Sequence, residues 1–377
     1  MNNRTKINLA ILRHLKQGTL TPTMVKHYSG WGGLSGDLAK WPIQQALQSL
    51  MTQEEINSAK RSTTSAYYTH DEIVKFIYQV LDHMGEKYER VLEPAAGVGC
   101  FLDRAIERKA SEMVTVELDH MTSRLLKVAY PHCRNLQGGF ETFSESMLGG
   151  KFDLIIGNPP FGTQSMEDKH SPIFNGLKIH HYFLAKSIAL LKEGGMLAMV
   201  LPKYCLDNGG KNARGLAYRL GANLYTAYRL PDNCFKNAKV TVDLVFFQKA
   251  IDKRKRGRSA WCYASNFYLG QNRHRMNQHF IENPAHVLGR LTDYRLERYN
   301  RMDLTCKNSG NLKGKMEAAL KGLPTPENII KKRCRQLSYC QGVRPNATRH
   351  SSRNSHSGRL SKKFNKCKPK RRPKSVT

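Results

Sequence analysis

Between residues 90 and 249, short runs of β-branched and apolar residues alternate with stretches of helical periodicity. Six runs have the length and composition of buried strands, and they span residues 90–93, 113–117, 152–157, 196–202, 224–230 and 240–249. Strands that alternate with helices usually pair in parallel, with helices on both faces of the sheet. No helix-length segment separates the last two runs, so we expect them to form an antiparallel pair at one edge. The sequence therefore predicts an α/β fold with a mixed, mostly parallel sheet.

The residues before this sheet predict helices. Residues 1–60 have the pattern of short helices around a turn at residues 29–34, whose three glycines disfavour any regular element. Thr69-x-x-Glu72 has the pattern of a capping box, in which the threonine side chain begins a helix. Apolar residues follow at helical spacing: Ile73, Phe76, Ile77, Val80, Leu81 and Met84.

Composition divides the chain into four segments. They are an N-terminal helical segment at 1–60, the α/β domain at 61–250, a small, partly helical region at 251–330, and a tail at 331–377. The tail holds 16 Lys and Arg, no Asp or Glu, and few large apolar residues, so we expect it to be disordered. Of the net charge of +31, +15 remains in the first 330 residues. A surface that basic is typical of proteins that bind DNA or RNA.

Cysteine usage and hydropathy indicate a soluble cytoplasmic protein. The nine cysteines include no Cys-x-x-Cys pair, so we expect reduced thiols and no metal site. Cys334 and Cys340 with His350 and His356 have no usual zinc-finger spacing. No apolar run reaches the roughly 20 residues that a membrane-spanning helix needs, and the N-terminus lacks a signal-peptide pattern. We therefore expect no membrane partner and no secretion.

A glycine-bearing turn follows the first predicted strand. Gly97 and Gly99 would let the backbone pass close to a ligand, and the next helix would offer unpaired N–H groups. Glu117 ends the second strand at the spacing from which an acidic side chain accepts hydrogen bonds from a ribose. The third glycine of the dinucleotide fingerprint is missing. The pattern therefore fits a ligand with an adenosine and no pyrophosphate, and a tight turn without a ligand is the alternative.

The run at 152–157 leads directly into Asn158-Pro159-Pro160-Phe161. An aromatic amino group such as that of adenine is a poor nucleophile, because its lone pair is delocalised into the ring. The Asn158 side-chain oxygen and the Pro159 carbonyl can each accept a hydrogen bond from one N–H of this amino group. The two hydrogen bonds would draw the nitrogen toward tetrahedral geometry. Phe161 offers a face for base stacking, worth about 1–3 kcal/mol. Attack of such a nitrogen on the methyl group of a sulfonium is a direct displacement, which needs no covalent intermediate. A proline-stiffened loop without a catalytic role is the alternative interpretation.

These residues together resemble the amino-group-specific adenine DNA methyltransferases with an Asn-Pro-Pro-Phe motif, over about residues 65–249. The resemblance implies a Rossmann-like fold that uses S-adenosylmethionine and has a mixed seven-stranded sheet. It implies cofactor contacts from Tyr68, Thr69, Glu93, Pro94, Ala95, Gly97, Gly99, Phe101, Glu117 and Phe140. It implies catalysis by Asn158, Pro159, Pro160 and Phe161, with the flipped base stacked between Phe161 and Phe235. The family's acidic residue before the third-strand aromatic is displaced here to Glu141.

Two further segments, residues 30–34 and 276–289, resemble the methylase part of large plasmid and phage helicase–methyltransferase polypeptides. No Gly-x-x-x-x-Gly-Lys-Ser/Thr loop for ATP occurs in the sequence. The resemblance implies double-stranded DNA as the partner and residues 251–330 as the region that recognises the target. It leaves open a separate endonuclease or helicase partner and the oligomeric state.

Enzymes that act on other substrates carry the same motif. Asn-Pro-Pro-aromatic also resembles enzymes that methylate a guanine amino group in RNA or a glutamine amide in protein. A non-catalytic DNA-binding protein with a methyltransferase fold is a further alternative. The Tyr67-Tyr68-Thr69 segment and the C-terminal extension favour DNA, and the presence of Asn158 and Gly97 favours an enzyme. We therefore expect site-specific transfer of a methyl group to adenine in DNA.

Overall fold

The computed structural model describes residues 1–63, 68–208, 212–235, 240–250, 260–297 and 300–323. The predicted disordered tail at 331–377 and residues 65–67 of the Tyr-Tyr-Thr segment lie outside these ranges. The boundaries at residues 60, 250 and 330 stay a prediction. Within the described ranges, no helix is both long enough and apolar enough to cross a membrane.

Seven strands form the main sheet: β1 Arg90–Pro94, β2 Glu112–Glu117, β3 Arg134–Gln137, β4 Phe152–Gly157, β5 Leu191–Pro202, β6 Ala222–Leu230 and β7 Val242–Lys249. Their order is β3-β2-β1-β4-β5-β7-β6. The first five are parallel, and β7 is antiparallel to both β5 and β6. The expected mixed seven-stranded sheet and its antiparallel edge pair are confirmed. β3 is absent from the six predicted runs because this edge strand is short and mostly polar.

Helices cover both faces of this sheet. The helices are α1 Asn3–Gln17, α2 Pro22–Val25, α3 Ser35–Leu38, α4 Trp41–Leu50, α5 Gln53–Ser62, α6 Asp71–His83, α7 Leu102–Glu107, α8 His120–Ala129, α9 Ile179–Leu190, α10 Tyr204–Asp207, α11 Asn212–Leu220, α12 Gln278–Glu282 and α13 Leu312–Lys321. Successive side chains of β5 alternate between the two faces. Leu197, Met199 and Leu201 pack in the apolar cluster that includes α9. Met196, Ala198 and Val200 pack in the cluster that includes α6.

The start of α6 differs from the prediction. The helix begins at Asp71, and its N-cap is His70, which makes no side-chain capping bond. The predicted capping box of Thr69 and Glu72 is therefore wrong, because the Thr69 side chain lines a cavity instead of facing the helix. The predicted apolar face is confirmed by burial of Ile73, Phe76, Ile77, Val80 and Leu81.

The segment after β7 contains two antiparallel strand pairs that the sequence pattern did not predict. They are β8 Ala264–Leu269 with β9 Asn272–Asn277, and β10 Arg290–Leu296 with β11 Arg301–Lys307. At the end of β9, the Asn277 backbone N–H donates to Asp207. Asp207 pairs with the buried Arg229, which also pairs with Asp243 of β7. This buried network fixes the first strand pair to the edge of the main sheet.

The sheet order reverses direction between β1 and β4, which are neighbours. The chain leaves these two strands toward opposite sides, and open α/β sheets bind ligands in the crevice that results. The loops after β1 and β4 carry the glycine turn and the Asn-Pro-Pro-Phe motif, respectively. The topology therefore brings the two predicted halves of the site to the same crevice.

Candidate active site

A cavity of about 650 Å³ lies at the carboxyl ends of β1, β2 and β4. Most of the residues that the sequence analysis singled out line it: Tyr68, Thr69, Glu93, Ala95, Gly97, Phe101, Glu117, Phe140, Asn158, Pro160 and Phe161. Glu141, the displaced acidic residue, also lines it. Four predicted site residues do not line the cavity: Pro94, Gly99, Pro159 and Phe235.

The turn after β1 needs glycine for a packing reason that the sequence did not show. Gly97 has φ 58°, and a Cβ at this position would lie 2.6 Å from the ring of Tyr68. On the other side of that ring, a Cβ at Gly30 would lie 2.5 Å from it. The Tyr68 ring is therefore held between two glycines. Gly99 packs instead against α8, since its Cβ would meet Leu126 and other buried side chains, so direct contact of Gly99 with a ligand is not supported.

Glu117 is buried at the end of β2, on the cavity wall. The backbone N–H of Gly97 donates to Glu117 Oε2 at 2.7 Å, and that of Asp119 donates to Oε1 at 2.8 Å. Burial nevertheless raises the pKa of Glu117 to about 7. Each carboxylate oxygen keeps a second lone pair, so the residue has the capacity to accept two more hydrogen bonds, as a ribose diol requires.

Glu93, in β1, has one carboxylate oxygen without a hydrogen-bond partner. The residue is 1% exposed, and Oε2 is buried and unpaired. Burial raises the pKa of Glu93 well above its ordinary value, and a hydrogen bond from the Phe101 backbone opposes this only in part. Native proteins rarely leave a buried carboxylate oxygen unpaired. This atom therefore indicates a ligand that brings an N–H group or a positive charge to this end of the cavity.

Contacts with α9 hold the loop after β4 in place. Asn158 is half-buried, and Pro160 and Phe161 line the cavity, whereas the Pro159 ring is buried outside it. Farther along the loop, Asp168 accepts hydrogen bonds from the Tyr182 hydroxyl at 2.6 Å and from the backbone N–H groups of residues 170 and 171. The Asn158-Pro159-Pro160-Phe161 motif thus lies on a loop that is fixed to α9.

Lys186, in α9, is a site-supporting residue that the sequence analysis missed. Its ammonium group donates to the carbonyls of Phe140 and Phe143, at 2.7 and 2.8 Å, and to Asp168 Oδ2 at 2.8 Å. Phe140 begins the turn on the predicted adenine side of the cavity, and Asp168 belongs to the loop after the catalytic motif. Lys186 therefore joins the two halves of the site. The signal in the sequence is a lysine within a mostly apolar helix.

The N-terminal helices also contribute to the cavity, which the sequence analysis did not predict. Lining residues from this segment are Gly30, Trp31, Ser58, Arg61 and Ser62. The side chains of α1 hold the glycine-rich turn: Arg4 donates to the carbonyls of Ser29 and Gly32, and Asn8 donates to the carbonyl of Gly30. The glycine-rich turn thereby closes over Tyr68.

Phe235 requires a correction. The sequence analysis placed it against an extruded base, but Phe235 is 4% exposed and packs in the apolar cluster with Leu230, Val242 and Leu244. The preceding segment is tied away from the cavity, because the Asp232 backbone N–H donates to the Cys306 carbonyl in β11. Burial against the edge strands leaves Phe235 no open face for a base.

Comparison with known proteins shows what this chain is similar to. Residues 51–226, just under half of the chain, match the family described as Eco57I restriction-modification methylase. The chain is 26% identical over 192 residues to the defense against restriction protein B of Escherichia phage P1, covering 50% of this chain and 8% of that protein. It is 30% identical over 173 residues to the type II methyltransferase M.HincII of Haemophilus influenzae, covering 43% and 32%.

The chain spans less than half the length of either curated relative. Among solved structures, the M protein of the type I restriction enzyme EcoKI aligns with a TM-score of 0.40 and 15% identity, covering 91% of this chain and 97% of that one. The similarity to restriction-modification methylases therefore rests on the sequence match over residues 51–226.

S-adenosylmethionine is the cofactor that a methylase domain implies, and the cavity residues fit it. Glu117 has free acceptor capacity for the ribose hydroxyls. The unpaired Oε2 of Glu93 fits a cationic group, and the cofactor carries both an ammonium and a sulfonium. Phe140 and Glu141 line the cavity at its third-strand side, where the sequence resemblance implies the adenine ring, and Phe140 is 2% exposed there.

Proposed function

We propose that the protein transfers a methyl group from S-adenosylmethionine to the exocyclic amino group of an adenine in DNA. One observation carries the proposal: Asn158 lines the same cavity as Glu93 and Glu117. An acceptor for an amino group and the acceptors for a cofactor thus lie within one crevice.

The chemistry follows from what these residues offer. When bound, the cofactor supplies an electrophilic methyl group. The Asn158 side-chain oxygen accepts a hydrogen bond from the amino group and localises the lone pair on its nitrogen. Phe161 stacks on the base and holds this nitrogen in line with the methyl group, since the rate of displacement depends on that alignment. The nitrogen then releases its extra proton to water.

The target base must leave the double helix before it reaches Asn158. This residue is half-buried in the wall of a cavity, and a paired adenine inside a duplex cannot enter it. Flipping costs a few kcal/mol, and stacking on Phe161 offsets part of this cost. A duplex with 2-aminopurine at the target position should brighten when the protein binds, and Phe161→Ala should change that signal.

Phe235→Leu is the matched control for this experiment, because Phe235 is a buried aromatic residue outside the cavity. Its fluorescence change should equal that of the wild-type protein. Equal binding to paired and mismatched targets, with no fluorescence change in any variant, would exclude base flipping from a duplex.

DNA as the substrate is supported by charge and by the surface of the strand pairs after β7. The first 330 residues keep a net charge of +15. Tyr268 is 62% exposed in β8, and the neighbouring β9 presents the exposed Arg273 and Arg275. Arginine side chains contact phosphates, and exposed aromatic side chains contact bases or sugars. We place target recognition within residues 251–330 on this basis.

The direct test is methyl incorporation. Purified protein is incubated with labelled S-adenosylmethionine and with DNA that lacks modified adenine, and the product is digested to nucleosides. We expect label in N6-methyl-2′-deoxyadenosine. Parallel incubations with RNA and with protein test the alternatives: label in RNA guanine or in protein glutamine, with none in DNA, would replace this proposal.

A further inference from the structure

Three metal-ligating side chains converge directly behind the catalytic loop. His180 and His181 lie in the first turn of α9, and Cys205 lies in α10, after β5. The three ligand atoms of these residues all lie within 4.8 Å of one another. Among the residues that the structure describes, no other group of three such side chains lies this close. We propose that His180, His181 and Cys205 bind a zinc-type divalent cation.

The two histidines have ring nitrogens that lack partners. Nδ1 of His180 and Nε2 of His181 are buried without a hydrogen bond, and His180 is only 7% exposed. Buried side-chain nitrogens in native proteins nearly always have a partner. Two unpaired nitrogens beside a buried thiol therefore indicate a ligand that all three atoms share, and a cation is the ligand that accepts lone pairs from all of them.

The donor atoms suit a soft cation. A neutral imidazole offers the lone pair of one ring nitrogen, and each of the two histidines has a ring nitrogen without a hydrogen bond. A bound cation would displace the proton of the buried Cys205 thiol. Two imidazoles and one thiolate form a donor set that suits zinc and leaves a fourth position for water.

Two positive charges lie near the three ligand residues. Lys178 and Arg214 both act electrostatically on His181, and Arg214 is only 5% exposed. Lys178 is exposed, so solvent screens its charge. The Arg214 guanidinium donates to the carbonyls of Leu206, Asn208 and Cys262. The partial negative charges of these oxygens offset part of its positive charge. The Cys205 thiolate would offset the remaining positive charge.

The site is coupled to the catalytic loop through Gly162. A Cβ at Gly162 would lie 3.5 Å from the side chain of Ile179, the residue before His180, and Gly162 lines the cavity next to Phe161. The three ligand residues themselves do not line the cavity. The cation would therefore hold the catalytic loop in position and take no part in methyl transfer.

The test uses the full chain, stripped of metal with a chelator and titrated with Co²⁺. A thiolate bound to tetrahedral cobalt gives a charge-transfer band in the near ultraviolet and visible d–d bands. We expect both in the wild-type protein at one Co²⁺ per chain, with displacement by Zn²⁺. Cys205→Ser should abolish the charge-transfer band. Cys306→Ser is the matched control, because Cys306 is an equally buried thiol in β11 outside this group.

A second variant keeps the test decisive if Cys205→Ser fails to fold, as judged by circular dichroism. His181 is only partly buried, and His181→Gln should weaken cobalt binding by about tenfold or more while the fold is kept. Absence of the bands in the folded wild-type protein would overturn the proposal. Bands that persist in both Cys205→Ser and His181→Gln would also overturn it, since they would locate the metal elsewhere, for example at the cysteines of the tail.

Discussion

Replacing Lys186 with methionine should destabilise the protein strongly, because the lysine is half of a fully buried ion pair. The side chains of Lys186 and Asp168 are 2% and 0% exposed, and their charged atoms lie 2.8 Å apart. Removing one partner of a buried pair leaves the other charge uncompensated, at a cost of about 3–5 kcal/mol. Asp168 would keep its hydrogen bonds from Tyr182 and two backbone N–H groups. We therefore expect the free energy of unfolding to fall by about 3 kcal/mol, the lower end of that range.

The assay is urea unfolding followed by circular dichroism, with Lys26→Met as the control. Lys26 and Asp103 are paired at 2.6 Å, but their side chains are 47% and 43% exposed. Exposed pairs contribute about 0–1 kcal/mol, so Lys26→Met should cost no more than that. The distances in the two pairs are similar, but Lys186 also donates to two backbone carbonyls, so the comparison tests burial of the ion pair together with those two hydrogen bonds. Equal losses in the two variants would refute the reasoning.

The same pair predicts a pH dependence. Burial acts to raise the pKa of Asp168, but hydrogen bonds from Lys186 and Tyr182 hold it below its ordinary value. A carboxyl with a lowered pKa stabilises the fold above its unfolded-state pKa, about 3.9, and this contribution is lost as the pH falls through the folded value. The difference in unfolding free energy between wild type and Lys186→Met should therefore shrink below about pH 4. A difference that stays constant down to pH 3 would contradict this assignment.

Three further predictions concern the methyl-transfer rate, cofactor affinity and DNA binding. Asn158→Ala should lower the methyl-transfer rate by about 10²–10³-fold and leave cofactor affinity in calorimetry nearly unchanged; a wild-type rate would contradict its role. Since burial raises the pKa of Glu117 to about 7, its carboxylate is ionised only above that pH, and cofactor affinity should fall from pH 8 to pH 6. Glu117→Gln should remove that dependence, and a flat wild-type profile would move the ribose contact elsewhere. Removing residues 331–377 should make DNA binding less sensitive to salt without changing the methylated site; a changed target would show that the tail reads sequence.

Local pattern was enough to predict six of the seven strands of the sheet and the strand ends that carry the candidate site residues. The alternation of apolar runs and helical periodicity depends on neighbouring residues, and it predicted the parallel strands with their antiparallel edge pair. The position of Asn158 directly after β4, and of Glu117 at the end of β2, also follows from the sequence. Carboxyl ends of parallel strands meet at one edge, so both side chains had to approach the same crevice.

Long-range packing decided what the pattern left open. Thr69 has the sequence of a helix cap, but its neighbourhood turns its side chain into the cavity, and Phe235 is buried by strands whose pairing no local signal showed. Lys186 meets Asp168, and His181 meets Cys205, only because α9 packs where the loops after β4 and β5 return. Buried polar side chains find partners across elements that are distant in the chain, and periodicity reports only the face that an element buries. These contacts therefore required the tertiary structure.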